Sequence, residues 1–135
     1  MRKIIASGPV IIKDNKLLVT KDNKDDFYKI PGGKVEENES LEECAVRELK
    51  QETGLDCEII KELSTQKMNK KPQTEENVEM YLHHYLANLK KPIKDYNLYN
   101  HNGHEVNWIN IKDMKKEKYP VAPNIKFLIE KGDIK

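Results

Sequence analysis

Apolar and polar positions run in blocks along this chain, and the length and period of each block select an element. Residues 3–12 are an Ile- and Val-rich run that predicts a buried strand. Asp14-Asn15 marks a turn, and residues 16–20 return as a second strand. Residues 21–26 read as a charged loop, and 27–30 as a short extended piece leading into Pro31-Gly32-Gly33. The period then changes. Ser40 followed by Glu43 is a capping box, so a helix starts near Leu41, and Gly54 stops it after about thirteen residues. At ~100° per residue, Leu41, Cys44, Ala45, Glu48, Leu49 and Glu52 share one broad face. Residues 56–66 alternate weakly and predict a strand; 67–77 read as a polar loop containing Pro72. Residues 78–89 are β-branched and aromatic, a strand with His83 and His84 on opposite faces. Residues 90–103 read as a long loop, 105–109 as a last strand, 112–116 as a short helix, and 124–131 as a terminal helix closed by Gly132.

Strands before, between and after two main helices predict a mixed sheet packed between helices, of the α/β or α+β class. With 135 residues the chain is one domain, residues 1–135, large enough for a real core. Neither repeats nor a domain linker is visible.

Charge narrows the function by exclusion. Charged residues make up 35% of the chain, yet 24 basic and 23 acidic side chains nearly cancel. No strong field for DNA or a membrane follows, and Lys67, Lys70 and Lys71 read as a solvated loop rather than a nucleic-acid patch. Cys44 and Cys57 are the only cysteines. No Cys-x-x-Cys or Cys/His spacing suggests zinc, so reduced thiols in a cytoplasmic protein are expected. Pro9, Lys13 and Asp14 break the first apolar run too early for a leader, which favours a strand there. No stretch approaches a membrane span.

The chemistry lies in residues 33–55. Glu48 and Glu52 are four apart, so their carboxylates lie one helical turn from each other on a partly apolar face. Two like charges there are unfavourable without compensation, which a hard divalent cation would supply. Gly32-Gly33 can bring backbone close to such a metal or to phosphates. Each part alone has a plainer reading, as a solvated helix edge, a surface Arg47 or a simple turn. Their joint spacing does not. Gly33, Glu39, Arg47, Glu48, Leu49, Glu52, Gly54 and Leu55 fill eight of the nine fixed positions of a 23-residue pattern, with Gln51 in place of a Glu at the ninth. That pattern resembles the Nudix box of the MutT-like hydrolases.

The resemblance implies the Nudix fold, a mixed-sheet α/β/α sandwich, and magnesium-dependent hydrolysis of a nucleoside diphosphate derivative by water attack at phosphorus. Manganese is a possible substitute metal. It implies Glu48 and Glu52 as ligands, with Gln51 and the Gly33 carbonyl beside them. Arg47 is expected to position a catalytic Glu by an ion pair, and Glu39 to tie the loop to the helix. Gln51 can coordinate through its amide oxygen but carries no charge and cannot act as a base. Some family members take the base from a downstream loop. Glu105 is the candidate here, equally readable as a strand-edge carboxylate, with Glu75 and Glu76 behind it.

Substrate signals are thinner. Tyr119-Pro120-Val121-Ala122-Pro123-Asn124 is similar, with one residue inserted, to the MutT-type segment Phe-Pro-Pro-Ala-Asn, whose Asn reads a purine. Asn124 then reads the base, or else caps the terminal helix. Trp108, Tyr119 and Phe27 are candidates to stack on a base, or core residues. The expected substrate is a nucleoside triphosphate or modified purine nucleotide. ADP-ribose, suggested by the position of Pro72, and dinucleoside polyphosphates are the alternatives, and a non-catalytic nucleotide-binding module is the third. The expected partner is a small nucleotide, with no stable nucleic-acid complex and room for a homodimer.

Overall fold

The computed structural model describes residues 2–71, 74 and 76–135; the candidates Pro72 and Glu75 lie outside the described residues. In chain order the elements are β1 (Arg2–Val10), β2 (Ile12–Lys13), β3 (Lys16–Asp22), β4 (Gly33–Lys34), α1 (Leu41–Thr53), β5 (Cys57–Glu62), β6 (Gln66–Lys70), β7 (Asn77–Leu89), β8 (Tyr99–His101), β9 (His104–Asn110), α2 (Ile111–Lys115) and α3 (Pro123–Glu130).

Two sheets share the work. One has the order β4-β1-β7-β5, with β6 also pairing β7, and it is mixed because β1 and β7 run parallel. The other, β2-β3-β9-β8, is antiparallel throughout. β3 and β9 are buried on both faces, so their apolar residues point alternately to two cores. Leu17, Val19 and Ile109 join Met114, Ile125 and Leu128 under the C-terminal helices. Leu18, Val106 and Trp108 join Leu49 under α1. The result is a mixed-sheet α/β/α arrangement.

Three differences from the sequence reading have physical causes. Residues 66–70, expected mostly as loop, form β6 because the thirteen-residue β7 extends beyond β5 and offers free edge groups at Met80–Leu82. Within residues 90–103, Tyr99–His101 forms β8. Asn102 and Gly103 both adopt positive φ, 48° and 77°, the turn that joins two antiparallel strands tightly. Finally, α3 begins at Pro123 with Ala122 as its cap, so Asn124 sits inside the first turn and does not cap the helix.

Candidate functional site

α1 carries the site, and both its ends are fixed locally. Ser40 Oγ accepts from Glu43 N at 3.0 Å, Glu43 Oε1 accepts from Ser40 N at 2.9 Å, and Gly54 closes the helix with φ 79°. The buried Ser7 of β1 donates its hydroxyl to Leu41 O at 2.7 Å, which sets the helix against the mixed sheet. Leu49 is fully buried beneath it. With that face fixed, Glu48 and Glu52 are turned toward the loop at Gly32-Gly33.

The fit there is tight. A methyl group on Gly33 would stand 2.6 Å from the Glu48 carboxyl carbon, and one on Gly32 would stand 2.8 Å from Ser7 O. Only glycine lets this loop lie against the helix and the strand at once. Gly32 N donates to Glu52 Oε2 at 3.1 Å. The Thr20 hydroxyl reaches Glu52 Oε1 at a long 3.5 Å.

Arg47 organises the outer side. Its Nε and Nη2 grip Glu39 at 2.6 and 3.0 Å, its Nη1 donates to Glu48 Oε1 at 2.8 Å, and Nη2 also reaches Lys34 O at 3.2 Å. A planar fork makes these contacts together where a point charge could not. The guanidinium holds the Glu39 carboxyl down at about 2, and the two carboxylates raise Arg47 in return. Gln51 is exposed, with Oε1 3.4 Å from the same Arg47 Nη1.

Glu52 is the strained member. Burial pushes its carboxyl up to about 8, the neighbouring Glu48 carboxylate adds to the rise, and the Gly32 N–H opposes it. A buried acid raised in this way is relieved by a cation. Among the described residues no three His, Cys, Asp or Glu side chains form a ready-made ligand cluster. Two carboxylates with the Gln51 amide, lining one polar cavity, suit a hard cation of the kind that shares its shell with phosphate oxygens.

Two adjoining cavities meet here. One, of about 450 Å³, is polar and lined by Glu48, Gln51, Glu52 and His104. The other, of about 220 Å³, is mainly apolar, with Phe27, Met68, Met80 and Leu82 beside Asn124. Lys29 and Gly32 line both. Lys29 is held by Asp22 at 2.7 Å and Asp25 at 3.4 Å. The carboxylates raise its pKa against the opposing effect of burial, so it stays a cation between the cavities. A ligand with a flat apolar end and an anionic end matches that pairing.

The structure does not gather every candidate. Glu105 points away from Glu48 and Glu52, because odd and even positions of β9 face opposite sides of the sheet. It accepts from the Tyr28 hydroxyl at 2.6 Å and lines neither cavity. Glu76 is paired with Arg2 at 2.7 Å, elsewhere on the surface. Trp108 is buried in the core under α1, edge-on to Tyr96, and Tyr119 is exposed, edge-on to Tyr28. Neither ring lines the apolar cavity; Phe27 does.

Sequence reasoning passed over His104 and Asp22. The β3–β9 register sets them opposite each other, with His104 Nε2 2.8 Å from Asp22 Oδ1 and 4.0 Å from Glu52 Oε1. The alternation of His104 with Val106 and Trp108 was the available signal: it places the histidine on the face that α1 covers.

Residues 1–129 match the family model described as the NUDIX domain. An ADP-ribose pyrophosphatase of Methanocaldococcus jannaschii is 46% identical over 54 residues, 38% of this chain and 32% of that one. An 8-oxo-dGTP diphosphatase of Buchnera aphidicola is 48% identical over 50 residues, 34% of this chain and 38% of that one. The match therefore spans less than half the length of either relative. A MutT NUDIX hydrolase structure from Burkholderia pseudomallei superposes with a TM-score of 0.74 at 20% identity, over 96% of this chain and 98% of that one. A NUDIX hydrolase from Nitrosomonas europaea gives 0.76 at 17% identity, over 96% and 87%. At those identities the likeness is one of fold.

Proposed function

Because the chain belongs to the NUDIX family, we propose that it is a magnesium-dependent hydrolase that cleaves a pyrophosphate bond in a nucleoside triphosphate or modified purine nucleotide. The observation that carries this reading is the pair Glu48 and Glu52 on one helix face, the second buried and raised to about 8, beside a polar cavity. Glu48, Glu52 and Gln51 would hold the cation, with the Gly33 carbonyl as a further oxygen. When bound, magnesium neutralises phosphate charge and acidifies the attacking water.

The chain's own groups do the rest. Arg47 fixes the rotamer of Glu48, and the Gly32 N–H fixes that of Glu52. Lys29 offers a positive charge to the phosphate chain where the two cavities meet. The apolar cavity receives the base, and Asn124 supplies its polar contacts.

ADP-ribose is a second reading, favoured by the name of the Methanocaldococcus relative. It would use the same carboxylates. A non-catalytic nucleotide-binding module would fit the loss of charge at Gln51, but the retained Glu48, Glu52 and Arg47 speak against it. The test is phosphate release from a panel of nucleoside triphosphates, 8-oxo-dGTP, ADP-ribose and dinucleoside polyphosphates, with and without magnesium. Metal-dependent release from a purine nucleotide is expected. No release from any member would overturn the catalytic reading.

A further inference from the structure

His84 is buried, 2% exposed, in the middle of β7. Its two ring nitrogens have different neighbours. Nδ1 lies 2.8 Å from Ser64 O, and Nε2 lies 3.1 Å from Asn124 Nδ2. A carbonyl oxygen can only accept, so Nδ1 must carry the proton. Burial lowers the pKa of this imidazole, which keeps the ring neutral and leaves Nε2 bare. A bare nitrogen can only accept. Asn124 must therefore turn its NH₂ toward His84, and not its oxygen.

The consequence falls on the cavity that both residues line. An asparagine amide left alone can turn over, exchanging its donor and acceptor edges with little change of shape. Here one of its N–H groups is committed, and the remaining N–H and Oδ1 keep a fixed order in space. Oδ1 makes no hydrogen bond with the described residues. Purines differ in that order: a 6-amino purine presents a donor at position 6 beside an acceptor at N1, and a 6-keto purine presents the reverse. An amide of fixed polarity can match only one of them along a given edge.

We infer that His84 is a positioning residue which, through its bare Nε2, fixes the polarity of the Asn124 amide and so sets 6-amino against 6-keto selectivity in the apolar cavity. This rests on the reading of that cavity as the base site. Ser64 O, through Nδ1, is the anchor of the relay, and the base is its far end.

The test compares wild type, His84→Phe and His84→Gln, titrated with adenosine and inosine 5′-monophosphates in the presence of chelator. These probes differ at purine position 6 and need no turnover. Wild type should prefer one of them. Phe keeps a ring but offers no acceptor, so the preference should shrink by about ten-fold, the worth of one specific hydrogen bond. Gln, whose Oε1 can accept from Asn124, should retain most of it. In turnover the same change should fall on KM rather than kcat. A merely structural role would weaken both probes equally in His84→Phe, and that result overturns the inference. Equal binding of the two probes by wild type overturns it as well, while leaving metal-dependent hydrolysis untouched. Conversely, a preference that His84→Phe erases in a protein without hydrolytic activity keeps the inference and removes the catalytic reading. Should His84→Phe fail to fold, ¹⁵N correlation of the wild-type imidazole decides. A protonated Nδ1 and a bare Nε2 are expected, and the opposite tautomer refutes the relay.

Discussion

Arg47 Nη1 donates to Glu48 Oε1 at 2.8 Å while the other edge of the same guanidinium grips Glu39 through two bonds. The loop before α1 and the carboxylate on α1 are thus tied to one rigid plane. Arg47→Lys keeps the charge but loses the fork. Turnover should fall by roughly 10- to 100-fold, the usual cost of a misplaced catalytic group. The melting temperature should drop by only a few degrees, since these contacts are partly exposed. Steady-state rates and thermal melts measured side by side check this; a Lys variant with full turnover would mean that Glu48 needs no such support.

Glu52 gives a prediction about pH. Its carboxyl titrates near 8 in the fold, against an ordinary value of 4.5. Between those values the native state holds more protons than the unfolded chain, so stability must fall as pH rises. The stabilisation is complete below 4.5 and is lost as pH climbs through 8. In chelator, the wild-type melting temperature should therefore decline from pH 5 to pH 9 more steeply than that of Glu52→Gln. Magnesium should restore the wild type at pH 9 and leave the variant unmoved. Glu52→Gln should also lower turnover by at least ~10²-fold, as loss of metal-held charge does. Parallel melting curves for the two proteins would show that Glu52 is ionised in the fold without a metal.

Gln51 lines the polar cavity and is exposed, the position where a family carboxylate is replaced by an amide. Gln51→Glu adds a negative charge beside the proposed cation. The magnesium concentration at half-maximal rate should fall a few-fold, and the gain should shrink as salt is raised. Measuring rate against magnesium at two ionic strengths tests both halves. An unchanged requirement would mean that this side chain does not face the metal.

How much of this was legible in the chain depends on the range of the interactions. α1 was readable to its ends because Ser40, Glu43 and Gly54 act on backbone groups a few residues away. The carboxylate pair followed from helical spacing alone. β6 was not readable as a separate strand beyond Gln66, because Lys67, Asn69 and Lys70 have little strand character and the segment pairs only where β7 presents a free edge. Asp22 and His104 lie far apart in sequence and meet through the β3–β9 register, which no local pattern encodes. Glu105 and His104 differ by parity along β9: Val106 and Trp108 mark the face that α1 covers, His104 shares it, and Glu105 lies on the other face against Tyr28. The role of Ala122 as cap needed only the preference of proline for the first helical position.

With Ala122 at the cap of α3, the Asn124 side chain is free for another role. Had Asn124 capped α3, Asn124→Ala would cost about 1 kcal/mol of stability and leave substrate choice alone. Ala122 occupies the cap, and the Asn124 amide instead reaches His84 at 3.1 Å in the wall of the apolar cavity. Replacing it with alanine removes the polar contacts available to a base and leaves His84 Nε2 unpaired. The Michaelis constant for purine nucleotides should rise by about ten-fold or more, with a smaller change for pyrimidine nucleotides that fill the cavity less well. The melting temperature should fall modestly, because the buried His84 Nε2 loses its donor and the better helix propensity of alanine offsets only part of that cost. Purine-to-pyrimidine rate ratios and melting curves on the same preparations separate the two outcomes. A lowered melting point with an unchanged ratio would remove Asn124 from base recognition and return ADP-ribose to equal standing as the substrate.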